Sequence, residues 1–577
     1  MTGFSLQTLD YVVFAIYFTG LCAVGLWVGR KKKHKADDYF LAGRTLPWYV
    51  IGGSFIAANI SSEHFIGMVG AAYVFGICVS AQEWGNVWTF SLLIWFFIPR
   101  LLSSKVLTTP EFLEKRFHPF LRQFFAVVSI ISNIVAALAG VLYGGGLALR
   151  ELFGWDLTYC IVAIGIASAM WAMYGGLLSV AWTDFFTVIV MVTGGLTVTI
   201  LGLYMLSGDS HSLVEGWRIM IERNTAKSGV WAEAVAKNAQ NIVRMDDYNR
   251  LSVIQPITHA TNPWPQLLVG WLSVGLWYNV INQYMIQNVL GARNMWHARM
   301  GIVLAGFMKI LMPAIVVVPG LILFAKAPEL LLQPAGVTVK ERDQAYIHML
   351  QTLMPAGLLG FFLAALFGAI QSTVTSVLNS TSAMFTMDMY RRWMRRDAPD
   401  RHYVNVGIVT TGVILCIAMV LARNIENISK FFGGGLFVYI QTMYAFFAPP
   451  FAAIFLLGVL SRRINGPGAI AAVVVGFTAG IFMKIVVAKW PDLLPWLKPY
   501  AMQAFVNWLL CVTVCVTVSL LTPRPRPEQV NDDMTINWRK LNITEDLGDR
   551  WYNNITLWWA LFVLGILALV ITFSGRF

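Results

Sequence analysis

Hydrophobic and polar positions alternate along this chain in blocks much longer than a globular helix requires. Apolar runs of about 20 residues, enough to cross a bilayer as a helix, are separated by short charged loops. About fourteen such runs can be placed: 8–29, 48–76, 80–100, 121–149, 156–173, 182–206, 265–290, 300–325, 352–385, 403–422, 432–459, 467–487, 500–521 and 553–573. The first ends in RKKKHK, which puts that end in the cytoplasm and the N-terminus outside. Strict alternation then brings the other basic loops inside as well: Arg100 to Arg122, Arg293 and Arg299, the stretch RRWMRRDAPDRH, and Arg462 with Arg463. The C-terminus falls outside. The pattern therefore predicts an all-α integral membrane protein of about 14 transmembrane helices.

Two of the apolar blocks are broken by polar residues. In 54–68, SFIAANISSEHFIGM, the residues Asn59, Ser61, Ser62, Glu63 and His64 occupy the middle of a span. Lipid cannot solvate them, so they need a partner, a cavity or a ligand. A discontinuous helix whose freed carbonyls line a site near the midplane fits this pattern; a polar patch that joins helices is the alternative. The second broken block, GLWYNVINQY at 275–284, interrupts span seven with amides. Spans two to six and seven to eleven make two sets of five that begin with opposite orientation, as in an inverted repeat.

Composition agrees with this reading. Of 577 residues, 57% are hydrophobic and 12% charged. The net charge of +12 is spread over inter-span loops, where membrane topology calls for it, so no nucleic-acid partner is expected. The segment 208–263 holds six Lys or Arg against six Asp or Glu, which suits the outer face. The six cysteines lie in apolar runs with no metal-ligand spacing, and are read as inert core thiols. The first apolar run has no basic region before it and no small-residue cleavage site after it, and is read as a retained span.

Span nine, AALFGAIQSTVTSVLNSTSAMFTMDMY, carries a second candidate site. On a helix the carbonyl of Ala369 and the hydroxyls of Ser372 and Thr373 fall at i, i+3 and i+4, on one face. With unwound carbonyls of Ala57 and Ile60 they make five neutral oxygens, a set that suits sodium. Close helix packing and back-bonding to the helix's own carbonyls are the competing uses of Ser and Thr here.

The stretches AANISSEHFIGM, EWGNV, TTPEFLEKRF, YGGLLSVAWTD, NQYMIQNVLGAR and SVLNSTSAMFTMDMY, in this order, resemble the sodium/solute symporter family, and most nearly its sodium/glucose cotransporter branch. The resemblance covers about 38–465 and implies a LeuT-type core of two five-helix inverted repeats, 45–206 and 264–460, with an extracellular segment at 208–263 and additional helices at 461–577. It also implies alternating access, with sodium as the co-transported ion bound by Ala57, Ile60, Ala369, Ser372 and Thr373. The family often has Ser where this chain has Thr373, but a hydroxyl remains. A second sodium is implied at Asp184, Thr375 and Ser376; Asp184 near a span end could instead cap a helix or meet a loop arginine.

For the solute, the resemblance implies Asn59, His64, Glu83, Asn86, Lys309 and Gln441, with Tyr278 as an aromatic gate. Carboxylate acceptor, ammonium donor, amides and an aromatic face together suit a pyranose such as glucose or galactose. Lys309 also has a plain structural use, as counter-ion to Glu83. Gly275 and Asn279 stand where bacterial galactose carriers of the family have Asn and Trp, which implies a looser inner gate. The expected function is sodium-driven sugar uptake through a plasma membrane, most simply a bacterial inner membrane. Alternatives are a sodium symporter for a uronate, a polyol, inositol or a larger glycan, and a sugar-gated sensor or channel. With no nucleophile and base pair or nucleotide loop, no enzyme is expected. The oligomeric state is left open.

Overall fold

A computed structural model describes residues 7–30, 35–239, 248–259, 261–332, 357–431, 436–490, 492–540 and 547–575. Among these the regular structure is helical, with only two isolated bridges between extended residues. The basic positions 31–34 and the expected start of span nine at 352 lie outside the described residues.

The main helices are α1 (Thr8–Gly29), α2 (Trp48–Asn59), α3 (Val69–Phe75), α4 (Ile77–Ser103), α5 (Pro119–Phe153), α6 (Leu157–Leu206), α7 (Gln283–Leu290) and α8 (Met295–Lys326). They continue with α9 (Leu358–Trp393), α10 (Asp400–Ile425), α11 (Leu436–Leu460), α12 (Gly466–Lys489), α13 (Tyr500–Leu521) and α14 (Ile555–Thr572). Eleven of them are long and apolar enough to cross a membrane, namely all but α2, α3 and α7. The chain is a multi-pass membrane protein.

Where spans five and six were expected as separate helices, the structure has one run of 50 residues, α6, bent at a single residue. Gly176 adopts φ 55° there, and a Cβ at that position would collide with the backbone carbonyl of Tyr39. Only glycine takes this left-handed turn without strain, so two helices meet without a loop and hydropathy alone misplaces the joint.

The buried centre of the bundle is α9, whose most extensive neighbour is α6, with α1, α2 and α10 around it. Its polar residues Ser372 to Asp388 are thereby removed from lipid. By contrast α14 leaves Leu557, Leu561, Leu564 and Ile571 exposed, the pattern of a helix on the lipid-facing rim. The segment after α6 forms helices Leu213–Asn224 and Gly229–Asn238, which fold back over the end of α3.

That contact is made by Arg250, which is fully buried. Its guanidinium donates to the carbonyls of Val74 and Tyr73 at 2.8 Å each and lies 3.8 Å from the ring centre of Phe324. The last carbonyls of a helix lack partners and carry its negative dipole end, so one arginine from the segment after α6 caps α3. Beside it Gly76, with φ 86°, lets the chain turn against the Arg250 backbone.

Candidate functional site

Helix α2 stops at Asn59 because the next residues compete for its backbone. Ile60 is extended (φ −85°, ψ 121°). The Ser61 amide, which would close the next helical bond onto Ala57, donates instead to His64 Nδ1 at 3.3 Å, and Ser61 Oγ accepts from the Glu63 amide at 3.1 Å. Short polar side chains that offer the backbone alternative partners end helices in this way. The chain resumes as a wide π turn, Glu63–Met68, before α3. Span seven is also interrupted, at Asn282, which is extended (φ −64°, ψ 125°) after wide turns over Gln266–Gly275 and Trp277–Ile281. Both amide-bearing interruptions are therefore real breaks.

Beside the first break lies a partly open cavity. All seven residues expected to meet the solute line it: Asn59, His64, Glu83, Asn86, Tyr278, Lys309 and Gln441. Lys309 Nζ is 2.6 Å from Glu83 Oε2 and also donates to Asn59 Oδ1. His64 accepts at Nδ1, so its ring proton is on Nε2, 3.4 Å from Glu83 Oε1. Glu83 is thus held by a lysine on α8 and a histidine at the break. Lysine and carboxylate here are each buried to within 3% of full enclosure at the side chain, and a pair like this survives out of water only when its remaining valences are met.

Other members of the set differ in how much of their bonding capacity remains. Asn86 is committed to the protein: its Nδ2 donates to the carbonyls of Gln82 and Glu83, and its Oδ1 accepts Asn279 Nδ2 at 2.5 Å. Gln441 donates to Glu63 Oε1 at 3.0 Å. Tyr278 donates to the Asn59 carbonyl at 3.2 Å, with its ring centre 5.4 Å from that of Tyr444. The remaining lining includes Glu63, Gln82 and Tyr444, which the sequence reading did not assign to the solute. Asn279 is not part of the lining but ties α4 to span seven.

The second expected site lies where α9 crosses the end of α2. Thr373 Oγ1 donates to the carbonyls of Ala58 and Ile60, at 3.1 and 3.2 Å. Ser372 Oγ is buried with no hydrogen-bond partner. Ala57 lies in the last turn of α2 with its carbonyl released by the Ser61 amide, and Ala369 lies one turn before Thr373 on the buried face of α9. The region offers several neutral oxygens with the Asp184 carboxyl group beside Ser372 and Ser376, a set that suits a hard cation.

Asp184 is not at a helix end but in the interior of α6, completely buried. Its Oδ2 accepts from Ser54 Oγ at 2.8 Å and from Ser376 Oγ at 3.2 Å, while its Oδ1 has no hydrogen-bond partner. Thr375 turns away: its hydroxyl bonds back to the carbonyls of Gln371 and Ser372 at 2.9 Å each. So the structure joins Asp184 to Ser376 and adds Ser54, whereas Thr375 makes no hydrogen bond to the carboxylate. An adjacent residue the sequence reading passed over, Gln371, has both amide atoms buried without partners.

At the end of α9 that carries Arg391 and Arg392, Asp388 accepts from Arg122 Nε at 2.7 Å and from Thr108 Oγ1 at 3.0 Å, and Arg122 and Arg392 both reach Glu114 Oε2. Burial works to raise the Glu114 carboxyl, but the Arg392 and Arg122 guanidiniums hold it below its ordinary value. This network ties the α4–α5 connection to α9.

A family model described as the sodium:solute symporter family matches residues 39–476. A sodium/glucose cotransporter of Vibrio parahaemolyticus is 33% identical over 93% of this chain and 96% of its own. A sodium/myo-inositol cotransporter of Canis lupus familiaris is 32% identical over 93% of this chain and 76% of its own. Among solved structures, a substrate-bound, outward-open Na+-coupled sialic acid symporter superimposes with TM-score 0.71 at 22% identity, over 90% of this chain and 99% of the other. At that identity the likeness concerns the fold.

Proposed function

Because the chain belongs to the sodium:solute symporter family, and is therefore a sodium-coupled membrane transporter and not an enzyme, we propose that its solute is a neutral sugar of hexose size. The observation that carries this reading is the cavity: hydroxyl-recognising groups from α4, α8, α11 and both broken helices converge on one space, with tyrosine rings beside them. Pockets with a few fixed polar groups and an aromatic wall are the usual solution for a polyhydroxylated ring.

The engagement of Lys309 by Glu83 and Asn59 speaks against a uronate, which would need a free cation to meet its carboxylate. A cyclic polyol such as myo-inositol is the second reading, favoured by the sodium/myo-inositol cotransporters among the relatives. It presents the same hydroxyl chemistry.

In the proposed mechanism sodium binds between α2 and α9, at Ala57, Ile60, Ala369, Ser372 and Thr373, replacing the bonds that Thr373 makes to the α2 end. This fixes the break from which Asn59 and His64 reach the solute. A second sodium is proposed at Asp184 with Ser376, and with Ser54 in place of the hydroxyl of Thr375. One charge moved across about 100 mV supplies roughly 2.3 kcal/mol, near fifty-fold accumulation. Fourteen crossings follow if α6 crosses twice and each broken helix once; the two five-helix repeats would then be 45–206 and 264–460, with both termini outside a bacterial inner membrane.

The test is uptake of labelled glucose, galactose and myo-inositol into proteoliposomes, with an inward sodium gradient, with potassium in its place, or with equal sodium on both sides. Accumulation of at least one only under the sodium gradient is expected. Failure of all three to enter, with sodium binding intact, would move the solute outside this class.

A further inference from the structure

Three residues of α4 line the cavity: Gln82, Glu83 and Asn86. At i, i+1 and i+4 they fall within an arc of about 100° on one helix face, but they differ in what is left to bond. Glu83 is held by Lys309 and His64, and Asn86 by Asn279 and two carbonyls of its own helix. Gln82, more than nine-tenths buried, makes one side-chain hydrogen bond: its Nε2 donates to the hydroxyl of Tyr500 at 3.1 Å. Its Oε1 accepts none among the described residues. An amide has an acceptor as well as two donors, so fixing the nitrogen leaves a carbonyl open to a hydroxyl. With the amide turned over it would accept from Tyr500 and present Nε2, and one polar end still remains.

Tyr500 opens α13 and lies past the 39–476 matched by the family model. Helix α13 packs along α11 and the wide turn Gln266–Gly275. Tyr500 is buried in a cluster with Ala445 of α11, Ala501 and Ala504, and Val274, itself part of the cavity wall, packs against that cluster. The phenol is thus fixed one layer behind the wall. A hydroxyl held there keeps Gln82 in one rotamer, so the side chain has little freedom left to lose when a solute binds.

We propose that Gln82 is a solute contact, its side-chain amide bonding one ring hydroxyl, and that Tyr500 is the positioning residue that aims it, so that α13 takes part in choosing the solute. The inference rests on the sugar reading above and deepens it: the carried ring has a hydroxyl directed to the α4–α13 side of the cavity. A site built to hydrogen-bond a hydroxyl rejects the analogue without it, because the buried polar group is left unpaired. A bond that served only to join α4 to α13 would penalise every solute alike.

The experiment uses the full chain in proteoliposomes under an inward sodium gradient. Unlabelled monodeoxy analogues, each lacking a single hydroxyl, compete with whichever of glucose, galactose and myo-inositol is carried. In wild type the analogue without the hydroxyl that meets Gln82 should inhibit about tenfold more weakly than the complete solute. Gln82→Met keeps the length of the side chain and removes the amide. It should raise KM for the complete solute about tenfold and abolish the cost of that one deletion. The other analogues should keep their wild-type ratios, and half-saturating sodium should be unchanged at saturating solute. Tyr500→Phe, which keeps the ring, should lower the same ratio about threefold and add nothing in the Gln82→Met background.

A Gln82→Met protein that transports with every analogue ratio unaltered would overturn the contact even if KM rises, since a loosened joint between α4 and α13 predicts that result. Should Gln82→Met fail to insert, a Tyr500→Phe protein with all ratios as in wild type would overturn the proposal equally. Wild type that carries none of the three neutral solutes would instead refute the sugar reading, and the contact with it.

Discussion

The two candidate sites are built on the same break in α2 and yet differ in how they place polar and charged groups. Beside α9, the region proposed for the charged cargo holds backbone carbonyls and hydroxyls, with Thr373 bonded to Ala58 and Ile60 and a single carboxyl group, Asp184, at its edge. A turn further on, the cavity proposed for an uncharged cargo contains Glu63, Glu83, His64 and Lys309. The contrast has a physical reason. A cation brings its own charge, so neutral oxygens hold it firmly enough to bind and weakly enough to leave. A neutral polyol offers only hydroxyls, and charged partners roughly double the strength of each hydrogen bond to it. The buried pair Glu83 and Lys309 is tolerable because the two ions satisfy one another before the solute arrives.

Separating the two sites by mutation tests that contrast, and the largest effect belongs to Lys309. Lys309→Ala strands Glu83 without its cation and Asn59 Oδ1 without its donor, a loss of about 3–5 kcal/mol for a broken buried pair. Solute uptake should fall by at least about a hundredfold, while sodium-induced changes in intrinsic fluorescence persist. Equal loss of both responses would erase the distinction between the sites.

Ser372→Ala comes next, and acts on the other side. Removing one neutral oxygen should raise half-saturating sodium about tenfold, with solute KM unchanged when sodium is saturating, as measured by initial uptake rates. Asp184→Asn should have a smaller effect on affinity, about threefold, but should lower the steepness of the sodium dependence toward that of a single ion. Unchanged steepness would remove Asp184 from the cation path and leave it as a link between α2, through Ser54, and α9, through Ser376.

The smallest effect on transport is expected from pH. His259, buried in the segment between α6 and span seven, has its pKa pushed down to about 4 by desolvation, and its Nδ1 accepts the amides of Thr261 and Asn262. A base with a depressed folded pKa contributes stability that is present above the unfolded value near 6.5 and is lost as pH falls toward 4. Hydrogen exchange in 248–259 should be constant from pH 8 to about 6.5 after correction for intrinsic rates, then reveal a loss of about 1 kcal/mol per pH unit below it. In His259→Asn that dependence should disappear, with either cargo's affinity unchanged at neutral pH.

Much of this was legible in the chain because lipid makes polar residues conspicuous. Asn59, Ser61 and His64 in one apolar block announced the break, and the amides around Asn282 announced the other. The contacts within each site were harder to read. Glu63 was visible in the same block, but the 3.6-residue period cannot say which side chains face inward through a π turn. Asn86 could be placed among the polar groups of the spans, but its bond to Asn279 from a distant span could not. Thr375 and Ser376 are adjacent hydroxyls with identical local patterns, and only the crossing of α6 over α9 decides that Ser376 meets Asp184. Gly176 turns α6 in a single residue, which hydropathy averaged over a span cannot resolve. Arg250, in a polar segment with balanced charge, gave no sign that it caps α3.

The most direct test of coupled transport runs the cycle from the solute side. Proteoliposomes with equal sodium on both sides, clamped at zero potential, are given an inward gradient of the carried sugar, and entry of radioactive sodium is followed beside entry of sugar. Sodium should accumulate against its own concentration in a fixed ratio to the sugar, one or two ions per molecule, and should stop doing so in Ser372→Ala at sub-saturating sodium. Sugar that enters while sodium stays at its starting level would contradict symport and leave the cavity to a uniporter or a sensor.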